Sequence, residues 1–235
     1  MYFYQLYNIK TLIFIKHLKL YMINTILKYP LFYRSYQRIV RAKYSEYDLF
    51  RFVFSDLSRK KKIRMLDICC GDSFVLNHVS DYITDYLGVD NNEKYLNPSK
   101  KKWKKYKFKN LDLSDKKSLK YLKKFKPNLI FMNGVIHHLD DDVIRSINFF
   151  IKNLKKNIFI SVDPIKENNK IINKIMILLD RGKFIRDKSQ YRKIMKGFKT
   201  AIIDDFYQMS FKNIFHFKNF DLKELYKKWV KSTKP

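Results

Sequence analysis

The 235 residues (28.7 kDa) are 46% hydrophobic and 17% aromatic, which supplies enough apolar material for the core of one domain. That excludes a wholly disordered chain, and five Gly with five Pro exclude collagen-like or low-complexity architecture. Fifty Lys and Arg against 22 Asp and Glu give a charge of +28 and a pI near 9.9, which by itself suggests nucleic acid or an anionic membrane as partner. Only 10 of the fifty are Arg, however, and Lys is the poorer residue for bidentate phosphate recognition. Plentiful Lys, Asn, Ile, Phe and Tyr are also what an AT-rich genome encodes. Charge alone therefore assigns no partner, and nucleic acid is the less favoured one. Cys69 and Cys70 are adjacent, with neither the number for a disulfide framework nor the spacing of a zinc site. No metal centre is expected, and a reducing, cytoplasmic setting is.

Residues 1–30 are apolar and aromatic, but Lys10, Lys16, Lys19 and Lys28 cut them into runs shorter than the ~20 residues a spanning helix needs. No small-residue cleavage site follows. The four lysines scatter around a helical wheel, so the segment reads as a helix covering part of the domain, with peripheral membrane contact as the alternative because aromatics interleaved with Lys suit an interface. From Tyr33 to Leu57, Val40, Tyr44, Tyr47, Phe50 and Phe54 recur three or four residues apart, the period of a helix with one buried face. Residues 1–58 are thus expected to form an N-terminal helical extension over the substrate site, and 59–235 the main domain.

Beyond Arg59–Lys62, strands and helices alternate. Strands are predicted at Ile63–Ile68, Tyr86–Val89, Tyr106–Leu111, Asn128–Met132 and Ile158–Val162. Helices are predicted around Val75–Asp81, from about Asn92, after a Ser114 cap, after Asp140 or Asp141, and over Ile171–Leu179. This alternation implies βαβ units and a parallel sheet. Ala201–Tyr207 and Asn213–Phe217 then read as strands too close for a parallel crossover, hence an antiparallel hairpin. Leu222–Trp229 reads as a terminal helix. The fold class is α/β: a Rossmann-like, seven-stranded, mostly parallel sheet with a C-terminal antiparallel hairpin, plus N-terminal helices.

The chemistry is expected at the carboxyl ends of these strands. Arg64–Ser73 (RMLDICCGDS) puts Asp67 at the end of a buried strand and Gly71 in the turn that follows, where the missing Cβ lets a ligand approach the backbone. About twenty residues on, Gly88-Val89-Asp90 ends the second strand in an acid suited to a ribose diol; a plain helix cap is the other reading. The GxGxxG run of dinucleotide enzymes is absent.

With these segments in order, the chain resembles the class I S-adenosylmethionine (SAM)-dependent methyltransferases. Leu66–Ser73 is similar to their first motif, LDIGCGTG, and Gly88-Val89-Asp90 to their second. Asn110-Leu111-Asp112-Leu113 stands where the family contacts adenine, and Phe131–Leu139 (FMNGVIHHL) resembles its GVLHHL-type fourth motif. The resemblance spans roughly residues 60–220. It implies that Asp67, Cys69, Gly71 and their turn hold the methionine part of SAM, Asp90 and Asn91 the ribose, Asp112 and Leu113 the adenine, and that Asn133 lies near the sulfonium. The first and third motif glycines are replaced by Cys69 and Ser73. His137 and His138 follow the fourth strand, as a base that deprotonates an acceptor or as structural caps of the next helix. His17, His78 and His216 read as structural or surface residues. Asp180–Arg186 with Tyr191 is similar to an Asp-Arg-Gly-x-aromatic-x-Arg run in some small methyltransferases; Arg181 and Arg186 would grip an acceptor's phosphate or carboxylate beside Tyr191, or Arg181 would pair with Asp180. The expected reaction is methyl transfer from SAM to oxygen, nitrogen or carbon of a small or lipid-linked acceptor. RNA methylation and a non-catalytic cofactor-binding scaffold are the alternatives.

Overall fold

The computed structural model describes residues 46–154, 156–166, 182–203 and 212–233. The segment 1–30, the helix expected over 171–179, and Asp180 with Arg181 lie outside them. Helices and strands run α1 (Glu46–Lys60), β1 (Ile63–Ile68), α2 (Leu76–Val79), β2 (Ile83–Asp90), α3 (Glu93–Lys102), β3 (Lys107–Asn110), α4 (Lys116–Lys124), β4 (Leu129–Asn133), α5 (Asp141–Asn153), β5 (Ile158–Pro164), α6 (Lys188–Ile194), β6 (Lys199–Ile203), β7 (Asn213–Lys218) and α7 (Leu222–Thr233). Helix starts fall where short polar side chains accept from freed backbone N–H groups. Asn92 accepts from Lys94 at α3, and Asp140 accepts from Asp142 and Val143 at α5. At α4 the cap is Asp115, whose Oδ1 accepts from Lys117 N (2.9 Å), and not Ser114, whose N–H and hydroxyl both donate to Asp112 (2.9 and 2.8 Å). The periodicity did not predict α6; a reciprocal capping box between Asp187 and Gln190 starts it.

The seven strands lie in the order β3-β2-β1-β4-β5-β7-β6, all neighbours parallel except that β7 runs against both β5 and β6. Strands β4 and β5 read as continuous apolar runs because helices cover both faces; every residue of β5 is buried. One face packs Phe131, Ile160, Phe215 and Phe217 against Phe50 and Phe54 of α1 and Trp229 of α7; the other packs Ile68, Ile130, Met132 and Phe159 against Leu122, Ile147, Ile151 and Tyr191. Helix α1 is part of this core: Leu49, Phe50, Val53 and Phe54 are wholly buried, and Phe50 and Phe54 meet Phe131 edge-on. The expected boundary at 58/59 therefore falls inside the last turn of a core helix.

The chain direction of strand growth reverses between β1 and β4. Their carboxyl ends open the crevice where ligands of open α/β sheets bind. Among the described residues no helix is long and apolar enough to cross a membrane.

Candidate active site

The turn after β1 carries the backbone conformation of a glycine-rich loop without its glycines. Cys69, Gly71 and Ser73 stand at φ +54°, +54° and +53°, left-handed values that disfavour a Cβ. Cys69 and Ser73 occupy the two replaced glycine positions, so the loop keeps its shape at the expense of local strain. Cys69→Gly is expected to raise stability by about 1 kcal/mol after allowing for the looser unfolded chain, or roughly 2–4 °C in melting temperature. A lowered melting temperature would show that the Cys69 side chain packs too well to lose. At Gly71 the position a Cβ would take has no atom within 4 Å, so the loop presents bare backbone to open space. Gly88 serves another purpose: a Cβ there would lie 2.8 Å from Tyr86 Cε1 and 2.9 Å from Cys70 Sγ, and its absence lets the loop seat on β2.

Two strand-end acids hold the loop. Asp67 is buried (3% exposed); the Tyr86 hydroxyl donates to its Oδ2 at 2.7 Å and lies 3.0 Å from Ser73 Oγ. Burial drives the Asp67 carboxyl up to about 7, against the pull of Tyr86 and with a push from the Asp90 charge. Asp90 accepts from Gly71 N at Oδ2 and from Asn92 N at Oδ1, both 2.9 Å; burial raises its carboxyl while those N–H groups offset the rise. Each oxygen keeps a second acceptor site. Asn91 beside it is exposed. Asp112 is exposed, held below the usual range by the Ser114 N–H and hydroxyl, with Leu113 buried next to it. Burial raises the Cys69 thiol, and the charges of Asp90, Asp67, Asp112 and Asp163 raise it further.

At the end of β4, Asn133 Nδ2 donates to the Tyr47 hydroxyl of α1 (3.2 Å). Tyr47 stacks on His78 (4.8 Å, 11°) and meets Phe74 edge-on (5.2 Å), which brings α1 and α2 to the crevice. Sequence periodicity marked Tyr47 only as a core position. His137 is buried and His138 exposed, their rings 4.1 Å apart. His137 N and Nδ1 both meet Asp163 Oδ1, at 3.1 and 2.8 Å. Asp163 was missed in the sequence, although it ends β5 as Asp67 and Asp90 end β1 and β2.

Arg186 differs from its expectation. It is 7% exposed, and its guanidinium donates to Ile136 O, Phe184 O and Leu139 O (3.0 Å each) and to Asp141 Oδ1 (2.6 Å). Committed to these four acceptors, it braces the His137–His138 loop and does not reach out to an anion. Tyr191 is also wholly buried, donating to Pro164 O at 3.0 Å. A cleft of about 370 Å³ lined by Asp56, Lys61, Asn219 and Lys228 lies at the amino ends of the strands, away from these groups; its Lys60–Asp56 and Lys228–Glu224 pairs are closed on themselves. Among the described residues no three His, Cys, Asp or Glu side chains converge as a metal requires.

A family model described as a methyltransferase domain matches residues 36–193. The chain belongs to that family. Its fold is that of the class I SAM-dependent methyltransferases. Solved structures of similar methyltransferases include human N-acetylserotonin methyltransferase in complex with SAM (12% identity, 72% of this chain and 50% of that chain, TM-score 0.51) and mitomycin 7-O-methyltransferase (13%, 74% and 54%, 0.53). The plantazolicin methyltransferase with bound S-adenosylhomocysteine also matches (13%, 74% and 84%, 0.51). At these identities the likeness is one of fold, and the chain spans about half the length of the first two. No curated protein sequence matches the methyltransferase significantly.

Proposed function

We propose that this methyltransferase moves the methyl group of SAM to a small-molecule acceptor at the carboxyl ends of β1 and β4. The observation that carries the reading is the loop at Gly71: bare backbone facing open space, flanked by buried Asp67 and half-buried Asp90. These residues fit a cationic nucleoside. Asp67 and the Cys69–Gly71 turn would take the methionine end, Asp90 and Asn91 the ribose, and Asp112 with Leu113 the adenine; Asn133, oriented by Tyr47, would lie near the sulfur. When bound, SAM supplies a methyl group activated by a positively charged sulfur. The chain's own contribution is alignment of donor and acceptor, and removal of a proton where the acceptor carries one. The similar folds act, by their names, on N-acetylserotonin, mitomycin and plantazolicin, which favours a small acceptor. Tyr47, Phe74 and His78 would wall its site. Calorimetry with SAM and S-adenosylhomocysteine tests the reading: dissociation constants on the order of 1–100 μM are expected, and no heat from a folded sample overturns it.

One observation favours RNA as a second acceptor class. Between Glu93 and Lys126 the sequence holds fourteen Lys against three acids; this stretch includes the edge strand β3, where Lys107 and Lys109 are exposed and Lys109 lies 6.0 Å from the ring of exposed Tyr121. This reading predicts binding of a labelled 20-nucleotide RNA that weakens steeply with salt and is reduced in a Lys107→Gln/Lys109→Gln variant. Labelled methyl entering small molecules but not RNA sinks it.

A further inference from the structure

Of the two residues that stand in motif glycine positions, Ser73 is the more deeply set. It is wholly buried at φ +53°, a left-handed value that glycine adopts more easily. A buried hydroxyl needs a partner, and Ser73 Oγ has one in the Tyr86 hydroxyl at 3.0 Å. Tyr86 is wholly buried too, and its hydroxyl lies 2.7 Å from Asp67 Oδ2. The strand register explains the reach. Asp67 of β1 stands opposite Gly88 of β2, and a Cβ on Gly88 would lie 2.8 Å from Tyr86 Cε1, so the Tyr86 ring leans over bare backbone to meet the carboxylate. A phenol has one proton. The shorter contact goes to the carboxylate, the stronger acceptor, which leaves the Tyr86 oxygen to accept from Ser73. Burial and the Asp67 charge raise the Tyr86 phenol while the Ser73 hydroxyl pulls it back, as expected of a donor to the phenol oxygen. Among the described residues, Tyr86 is the one hydrogen-bond donor to the Asp67 carboxylate.

We propose that Ser73 is a positioning residue: acting through Tyr86, its hydroxyl fixes the orientation of the Asp67 carboxylate, with Oδ2 held inside and Oδ1 left for the cationic methionine end of SAM. This rests on the methyl-transfer reading above. Donors in series polarise one another, so Ser73 strengthens the bond that Tyr86 makes to the anion. When Asp67 takes up a proton the series can run the other way, from Asp67 to Tyr86 to Ser73, and the contacts between the three groups persist. The relay thus serves both states of the carboxyl and favours the charged one, because only there is the bond charge-assisted. The other titratable groups around it are Cys69 and Cys70 of the same turn, Asp90 at the end of β2, and Tyr106, whose ring lies 5.3 Å from that of Tyr86.

The first readout is the titration of Asp67 in the cofactor-free protein, followed in ¹³C spectra of labelled aspartate carboxyls and assigned through Asp67→Asn. The wild-type group is expected to titrate at about 7. Ser73→Ala and Ser73→Gly should each move that point up by about half a pH unit, and Tyr86→Phe by about 1–2 pH units. The two Ser73 variants separate the hydroxyl from the backbone, since alanine keeps the strain that glycine relieves. A titration unmoved in both, or moved by alanine and restored by glycine, overturns the proposal. The second readout is calorimetry between pH 6 and pH 8.5 with S-adenosylhomocysteine, which keeps the amino acid end of SAM. Each variant's affinity should follow its own Asp67 titration, so that the Ser73 variants bind about half as tightly as the wild type at pH 7 and nearly equally at pH 8.5. Affinity that keeps the wild-type pH profile while the carboxyl titration moves overturns the proposal. Absence of binding by the folded wild type would instead overturn the reading it rests on, and the carboxyl titration tells the two failures apart.

Discussion

Asp67→Asn is expected to raise the unfolding free energy at pH 8 by about 2–4 kcal/mol while abolishing measurable affinity for SAM. The native carboxyl titrates near 7 instead of 3.8 because burial penalises its charge, and three units correspond to an upper limit of about 4 kcal/mol. The sign follows from which state holds the proton. Between pH 4 and 7 the folded chain keeps a proton that the unfolded chain has released, so the Asp67 contribution to stability is present below pH 4 and lost as pH rises through 7. An amide has no charge to desolvate and still accepts from Tyr86. The gain from Asp67→Asn should therefore be largest above pH 7, about two fifths as large near pH 5, and nearly absent near pH 4. His216 acts in the opposite sense: burial pushes it down to about 3, so stability falls as pH drops through 6.5. It is present in both proteins and cancels in the difference. Urea unfolding at pH 8 and pH 5 checks this; equal gains at both values would show that Asp67 is already ionised in the native state at pH 5, so that burial has not raised it. The same group makes SAM affinity pH-dependent. An ammonium favours the ionised carboxylate, so binding should strengthen about tenfold from pH 6 to pH 8 in the wild type.

Asp90→Ala is expected to weaken SAM at least 100-fold, with a stability loss of only about 1–2 kcal/mol. Two hydroxyls donated to a carboxylate contribute roughly 1.5–3 kcal/mol each, which accounts for the loss of affinity. The stability term arises because the same carboxylate accepts from Gly71 N and Asn92 N, at about 1 kcal/mol per bond. Asp90→Asn keeps one acceptor oxygen and should fall between the two. Calorimetry beside thermal unfolding measures both quantities. Unchanged affinity would refute the ribose assignment, and a collapse of stability would mean that the carboxylate serves chiefly to hold the loop.

What the amino-acid sequence determined by itself is what depends on neighbours along the chain. The 3.6-residue period of Tyr47, Phe50 and Phe54, the apolar runs of β4 and β5, and the acid-turn-Gly segment after β1 are local signals, and the starts of α2 to α5 were legible within a residue or two. The replaced glycines were legible only against the family's motif; that Cys69 and Ser73 keep left-handed backbone there was decided by the structure. The tertiary structure alone decided which side chains meet. Tyr86 reaches Asp67 across 19 residues, Asp163 reaches His137 across 26, and Arg186 reaches Ile136 and Asp141 across 50 and 45. Those pairings follow from the strand order, which sets β2 and β4 beside β1, and β5 beside β4. Arg186 shows the consequence. As a sequence feature an arginine near a loop looks available to a ligand, because a guanidinium's five donors are visible and its acceptors are not. Only the fold supplies three carbonyls and a carboxylate at hydrogen-bonding distance, and a buried cation must take them.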